Sequence, residues 1–119
     1  MLDARKILGK NGEDLATTFC EERGFLIIVR NWRCRLGEID IIAERDGILH
    51  FIEVKTRKSF VYGCPEDAID GLKLRHLERT IEAYIETCKK TYRGYQVDAL
   101  AICILPNEKV EYNFIEDIL

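Results

Sequence analysis

The run GEIDIIAERDGILHFIEVKTR, from Gly37 to Arg57, alternates apolar and polar residues on both sides of an Asp46-Gly47 pair. A period of two is typical of β-strands, and Asp-Gly between two such runs favours a two-residue hairpin turn. The run therefore predicts a β-hairpin with strands from Glu38 to Glu44 and from Ile48 to Lys55.

The register of this hairpin brings charged residues together. Counting outward from the turn places Asp40 opposite Glu53 and Glu38 opposite Lys55. Side chains that are directly opposed point to the same face, with Cβ atoms about 4.5 to 5.5 Å apart. Three carboxylates and one ammonium group would then share one patch, unless a three-residue turn changed the register.

Carboxylates at this spacing repel one another, so a cation is the expected missing component. An all-oxygen donor set without histidine or cysteine suits Mg²⁺ or Mn²⁺ rather than zinc. The alternative interpretation is a set of cross-strand ion pairs on a solvated surface. The apolar residues on either side of each acid favour a functional site.

Both faces of the hairpin carry apolar residues, which predicts a sheet covered by helices on both sides. Alternation assigns four of them to one face and three to the other. The first face carries Ile39, Ile41, Ile52 and Val54, and the second carries Ile42, Leu49 and Phe51.

The rest of the chain predicts an α/β protein with the element order αβββαββ and a mixed β-sheet flanked by helices. Apolar residues at steps of three and four predict two helices, and β-branched runs predict three more strands. The predicted elements are a helix from Arg5 to Arg23 that stops at Gly24, a strand from Phe25 to Val29 followed by a basic turn from Arg30 to Arg35, a long helix from Pro65 to about Lys90, and strands at Val97 to Leu105 and Val110 to Ile115.

A length of 119 residues predicts one domain over residues 1–119, as a monomer or a homodimer. The five cysteines lack the close pairing of zinc sites, which favours reduced thiols. No segment has the apolar length of a membrane span, and the charged start does not resemble a secretory signal. We therefore expect a cytoplasmic protein without a membrane partner.

The net charge of −3 does not favour a nucleic-acid partner, but the distribution of charge does. Two basic clusters flank the acids of the hairpin and predict contacts with DNA, although short basic runs are also common on solvated surfaces. The residues are Arg30, Arg33 and Arg35 in one cluster and Lys55, Arg57 and Lys58 in the other.

Three further residues have weaker patterns. His50 and His76 are isolated histidines, for which a structural role is the more common one, so neither is assigned a catalytic function. Trp32 could stack on a base or fill the edge of the core. The cysteines have no base at a recognisable spacing, which argues against a thiol nucleophile.

The motifs GEID and FIEVKTR resemble the PD-(D/E)XK nuclease superfamily. More closely, the chain resembles an uncharacterised bacterial family of small endonuclease-like proteins related to archaeal Holliday-junction resolvases. Nearly the whole chain takes part in this resemblance, through positions that run from the first helix to the fourth strand: Gly9, Gly12, Glu13, Ala16, Asn31, Arg33, Gly63, Pro65, Lys73 and Asp98.

The resemblance implies a restriction-endonuclease-like fold with Asp40, Glu53 and Lys55 as the catalytic core. It further implies that Glu13 is an accessory acid that reaches the metal directly or through water, and that the carbonyl of Val54 is an additional ligand. Lys73 would approach the site, or the DNA, from the long helix.

Two positions depart from the pattern. Ile39 stands where the superfamily name places proline, which leaves the acids intact. Gln96 stands where the closer family has arginine, which puts a phosphate contact from that position in doubt.

The expected function is a Mg²⁺- or Mn²⁺-dependent endodeoxyribonuclease in which a metal-activated water attacks the phosphodiester, with branched DNA among the candidate substrates. The alternative is a nucleic-acid-binding or scaffold protein that keeps the nuclease fold without turnover, because a fold alone does not establish activity.

Overall fold

A computed structural model describes residues 4–58 and 71–119, and the side chains of residues 12–58 and 76–119 within them. The element order is αβββαββ, as predicted. The elements are α1 (Ala4–Glu22), β1 (Leu26–Cys34), β2 (Gly37–Arg45), β3 (Ile48–Lys58), α2 (Gly71–Thr87), β4 (Gly94–Ile104) and β5 (Val110–Ile115).

The five strands form one mixed sheet in the order β1-β2-β3-β4-β5. Only the β3–β4 pair is parallel, and the other three pairs are antiparallel. Parallel neighbours need a crossover connection, and α2 lies in the connection between β3 and β4. The α/β class, the mixed sheet and the flanking helices are therefore confirmed.

Each helix covers one face of the sheet. Ala16 and Cys20 of α1 pack with Ile41 and Ile52 in one apolar cluster, which we call the first core. On the opposite face, residues of α2 pack against β2, β3 and β4 in the second core, which contains Leu77, Ile81, Tyr84, Ile42, Phe51 and Val97. Two covered faces explain why the hairpin strands are apolar on both sides.

The first helix ends at the glycine that the sequence indicated. Gly24 has a φ of 86°, a left-handed conformation that glycine adopts without a steric penalty. The amide of Phe25 donates to the carbonyl of Cys20 at 3.0 Å, and the amide of Gly24 donates to that of Glu21 at 3.1 Å. These two bonds form a Schellman motif, which satisfies the last carbonyls of α1.

The hairpin turn also agrees with the prediction. Arg45 pairs with Ile48, and the two residues between them, Asp46 and Gly47, have φ values of 55° and 78°. Positive φ at both central positions is the geometry of a type I′ turn, whose twist matches that of the flanking strands.

The predicted turn from Arg30 to Arg35 is wrong, because β1 continues through Cys34 and the reversal occurs at Arg35 and Leu36. Cys34 pairs with Gly37, so the ladder extends almost to the turn. Backbone pairing with β2 outweighs the basic composition of this segment, because strand preference depends strongly on context. The predicted helix start at Pro65 lies outside the described residues.

Neither described helix combines the length and the apolar composition needed to cross a membrane, over the parts of the chain that the structure describes. Cys20, Cys34 and Cys88 are free thiols, as expected. Cys103 is disulfide-bonded, so the expectation of reduced thiols is wrong for that residue. Sequence spacing could not show this, because it does not reveal which cysteines meet in space.

The packing of α1 on β3 gives a testable consequence. A Cβ atom added to Gly12 would overlap the side chain of Thr56. We expect Gly12→Ala to lower the free energy of unfolding by about 1 to 3 kcal/mol, even though alanine favours helix formation. Chemical denaturation measures the change, and adding Thr56→Ala should restore part of it.

Gly94→Ala is the matched control, since a Cβ atom at residue 94 meets no atom within 4 Å. If Gly12→Ala were as stable as the Gly94→Ala protein, the close approach of α1 to β3 would be refuted.

Candidate active site

A cleft of about 420 Å³ opens between the start of β2, the middle of β3 and the helix α2. It brings together three acids that were predicted from the sequence to share one patch. It also contains residues of α2 that were not predicted to lie at the site. The lining residues are Gly37, Glu38, Asp40, Glu53, Val54, His76, Leu77 and Thr80.

Asp40 lies where β2 and β3 stop pairing. The described ladder between these strands ends at Ile41–Ile52, one position before Asp40 would face Glu53. Beyond this point the Oδ2 atom of Asp40 accepts a hydrogen bond from the backbone amide of Val54 at 2.8 Å. A carboxylate oxygen thus satisfies an amide that a ladder carbonyl would otherwise serve, and this bond orients the acid.

The strand alternation breaks at the same position. The pair Arg30–Ile41 lies toward α1, where Ile41 belongs to the first core, while the pair Trp32–Ile39 contacts the second core. In a regular strand, residues two positions apart point to the same face, so Ile39 and Ile41 could not lie on opposite faces of a regular sheet.

The expectation that Ile39 shares a face with Ile41 is therefore wrong, because the chain changes face at Asp40. The acids meet in a cleft at the end of the ladder, and the described ladder contains neither the Asp40–Glu53 pair nor the Glu38–Lys55 pair.

Glu53 and Lys55 lie on β3, which is central in the sheet. Glu53 is only 6% exposed, and Lys55 is half-buried two residues further along, hence on the same face. Their parallel partners on β4 are Ala99 and Ala101. These small neighbours leave space beside the acid and the ammonium group on the sheet surface.

The helix α2 forms the opposite wall of the cleft. A Cβ atom on Gly37 would lie 2.7 Å from Oγ1 of Thr80, so glycine permits the close approach of α2 to β2. The hydroxyl of Thr80 donates to the carbonyl of His76 at 2.9 Å. His76, which was assigned no function from the sequence, is exposed and lines the cleft.

A signal for His76 was present in the sequence. Helical periodicity places it beside Thr80 and next to the buried stripe that starts at Leu77. What the sequence could not reveal is that this edge of α2 faces the acids.

Glu13 lies on the α1 side and is not among the residues that line the cleft. Its Oε2 atom accepts a hydrogen bond from Nδ2 of Asn31 at 3.1 Å and is 3.8 Å from Nη2 of Arg30. Arg30 also donates to Asp14 at 2.9 Å. The pairs on either side of Asn31 place it across from Asp40, so Glu13 contacts the residue that faces Asp40 on the neighbouring strand.

The basic residues differ in their surroundings. Arg30 is held by α1, whereas Arg33 is 74% exposed and 3.4 Å from the Glu38 carboxylate at the cleft. Arg35, Arg57 and Lys58 are exposed and, from the strand directions, lie at the same end of the sheet as Arg33. Lys73 falls in α2, where its side chain lies outside the described part.

The donor set of the cleft suits a hard cation. Asp40 and Glu53 line the cleft with carboxylate groups, and Mg²⁺ commonly binds through one or two carboxylates while it retains water. Within the described residues, no group of three or more histidine, cysteine, aspartate or glutamate side chains is arranged to hold a metal. The ion would therefore be held mainly by two acids.

His50 has a structural role, as expected. His50 Nδ1 lies 2.6 Å from Oδ2 of Asp98, and both side chains are buried. Asp98 Oδ1 accepts further bonds from Nε2 of Gln96 at 2.8 Å and from the amide of Asp117 at 2.9 Å. This network fixes the C-terminal segment to β4. Within it, the side-chain amide of Gln96 is hydrogen-bonded to Asp98.

Two other expectations can be compared with the structure. Trp32 packs edge-on against Tyr84, with ring centroids 5.3 Å apart, so it fills the edge of the second core. Burial, with a further contribution from Asp98, raises the pKa of the Cys20 thiol to about 11. That thiol is therefore protonated at neutral pH.

The bond between Asp40 and Val54 predicts different effects for two substitutions. Asp40→Ala leaves the Val54 amide without its acceptor, which should lower the free energy of unfolding by about 1 to 3 kcal/mol. Asp40→Asn keeps an oxygen acceptor and removes a charge near Glu53, so we expect stability close to that of the wild type. Denaturant titration at one pH compares them, and equal stability of both variants would contradict the proposed bond.

Comparison with known proteins gives one consistent result. The family model described as "Uncharacterised protein family UPF0102" matches residues 12–102. A UPF0102 protein of Caldicellulosiruptor saccharolyticus is 38% identical over 114 residues, which cover 95% of this chain and 97% of that protein. UPF0102 proteins of Dictyoglomus thermophilum and Persephonella marina are 39% and 42% identical, over 88% and 85% of this chain and 89% and 85% of theirs. The chain therefore belongs to the UPF0102 family.

Proposed function

We propose that this protein is a divalent-metal-dependent endonuclease that hydrolyses phosphodiester bonds of DNA. The observation that carries the proposal is the cleft that Asp40 and Glu53 line together, with Lys55 on the same face of β3. The motifs GEID and FIEVKTR, which resemble those of PD-(D/E)XK nucleases, fall on the two strands that meet at this cleft.

Asp40, Glu53 and the carbonyl of Val54 would hold Mg²⁺ or Mn²⁺. Such an ion, when bound, polarises a phosphoryl oxygen and lowers the pKa of coordinated water. The bond from the Val54 amide keeps the carboxylate of Asp40 in place before the ion arrives. This preorganisation lowers the cost of bringing the two acids together.

Lys55 would act on the substrate. An ammonium group on the same face as Glu53 can orient the attacking water and stabilise the negative charge that develops on the phosphoryl oxygens. Its partial burial strengthens this interaction, because the surrounding protein screens charge less than water does.

DNA would approach from the end of the sheet where the exposed basic residues lie. Arg33, Arg35, Arg57 and Lys58 are exposed there, beyond the acids, and can contact phosphates of the bound strand. This local arrangement offsets the net charge of −3. His76 at the opposite wall is a further group that a phosphate in the cleft would meet.

A second candidate is a nucleic-acid-binding or scaffold protein without turnover. Among the residues that the structure describes, no group of three or more histidine, cysteine, aspartate or glutamate side chains is arranged to hold a metal, and this favours the second candidate. The two candidates differ in one measurable property, which is metal-dependent cleavage.

Cleavage can be tested on linear, single-stranded, flap and four-way DNA with Mg²⁺ or Mn²⁺. We expect the wild type to cut at least one substrate and Asp40→Asn to lose about a hundredfold or more of that rate, because the variant weakens metal binding. DNA binding should be retained, since in this proposal Asp40 holds the metal rather than a phosphate.

Glu82→Gln is the matched control, because it removes an exposed carboxylate of α2 that does not line the cleft. Absence of cleavage by the wild type on every substrate, together with intact DNA binding, would favour the non-catalytic candidate.

The DNA path can be tested separately. Arg33→Ala combined with Arg35→Ala should weaken binding and reduce the slope of log affinity against log salt by about one unit per lost phosphate contact. A mobility-shift titration at several salt concentrations measures both quantities.

The control changes the same number of charges at the other end of the sheet, with Lys89→Ala and Lys90→Ala. Lys90 pairs there with Glu44 at 2.9 Å, close to the hairpin turn. Equal losses in the two double variants would show that net charge, rather than the proposed path, governs binding.

A further inference from the structure

Asn31 has a backbone conformation that is unusual for a strand. Its φ is 53°, in the left-handed region, although it lies inside β1. The flanking pairs Arg30–Ile41 and Trp32–Ile39 place it across from Asp40. Such a conformation in a residue other than glycine persists only where the surrounding structure holds it, and it is common at functional sites.

The left-handed conformation has a specific effect on the side chain. Arg30 contacts Asp14 of α1, and Asn31 contacts Glu13 of the same helix. Successive residues of a regular strand point to opposite faces, so both could not reach α1 without this break. The conformation of Asn31 therefore serves to bring its amide beside Glu13.

The amide of Asn31 has one satisfied end and one unsatisfied end. Nδ2 donates to Glu13, which fixes the orientation of the group, because the reverse orientation would place two oxygen atoms together. Oδ1 is buried and, among the side chains that the structure describes, is the one buried nitrogen or oxygen atom without a hydrogen-bond partner. Such an orphaned acceptor is costly and requires a specific explanation.

We infer that Asn31 is a positioning residue of the acidic site. Its Nδ2 holds Glu13, and its Oδ1 accepts a hydrogen bond from the hydration shell of the cation that Asp40 and Glu53 bind. The inference rests on the proposed function, because the donor belongs to that hydrated ion. It assigns Glu13 an indirect position, through Asn31, which lies across from Asp40 on the neighbouring strand.

Asparagine suits this position for two reasons. It tolerates the left-handed region better than most residues, and its amide combines a donor and an acceptor. Glutamine, serine or alanine would lack one of these properties. An outer partner of this kind typically changes metal affinity by about 10- to 100-fold when it is removed.

The test is Mn²⁺ binding, measured by the shift in melting temperature and by calorimetric Kd. Asn31→Gly keeps the backbone conformation and removes the whole amide, so we expect it to fold and to bind Mn²⁺ about 10- to 100-fold more weakly. Glu108→Gly is the matched control, because Glu108 also has a left-handed φ, of 65°, in the turn before β5. It should bind Mn²⁺ as the wild type does.

Asn31→Asp tests whether the side-chain oxygen acts on the metal or the residue has only a structural role. It keeps an oxygen acceptor and loses the donor to Glu13, so the metal-free variant should melt below the wild type because two carboxylates face each other. Mn²⁺ should raise its melting temperature at least as much as that of the wild type.

The outcomes are distinguishable. A wild type that ignores millimolar Mn²⁺ overturns the proposed metal site and this inference with it. A wild type that responds while Asn31→Gly responds equally overturns the inference alone, and so does an Asn31→Asp protein that loses the response as fully as Asn31→Gly.

Discussion

The hydrogen bond from the Val54 amide to the carboxylate of Asp40 is the interaction on which the candidate site depends. It lies where β2 and β3 stop pairing, and it replaces a backbone acceptor with a side-chain acceptor. The amide is partly buried and needs a partner, so the acid is tied to the stability of β3 as well as to the proposed chemistry. Removing the charge and removing the oxygen are consequently different perturbations at this residue.

The same position connects the two faces of the sheet. On the α1 side, Glu13 and Asn31 meet, and on the α2 side, His76 and Thr80 close the cleft. Two close backbone approaches hold these helices, one at Gly12 against Thr56 and one at Gly37 against Thr80. The candidate site therefore lies at a local break in the sheet, with α1 packed close on one side and α2 forming the wall on the other.

Local patterns predicted most of the fold. The Asp46-Gly47 turn fixed the hairpin register, and Gly24 ended the first helix, because both depend on the conformations of adjacent residues. Asp40 and Glu53, which the hairpin register predicted to face each other, both line the cleft, although the described ladder stops before them.

The remaining features depend on contacts between distant segments. The extension of β1 through Cys34 and the change of face at Ile39 arise from pairing and packing that no local pattern encodes. The position of His76 is of the same kind, because it depends on how α2 packs against the sheet. Asn31 had no local signal of its left-handed backbone, since asparagine also occurs in ordinary strands.

The parallel pairing of β3 and β4 has a consequence for the order of assembly. The hairpin that carries Asp40 and Glu53 consists of contacts close in sequence, which form early, whereas β4 must wait for the crossover through α2. A growing chain that ends before α2 would hold both acids without the wall formed by His76, Leu77 and Thr80. The cleft is therefore complete only once α2 has packed against the hairpin strands.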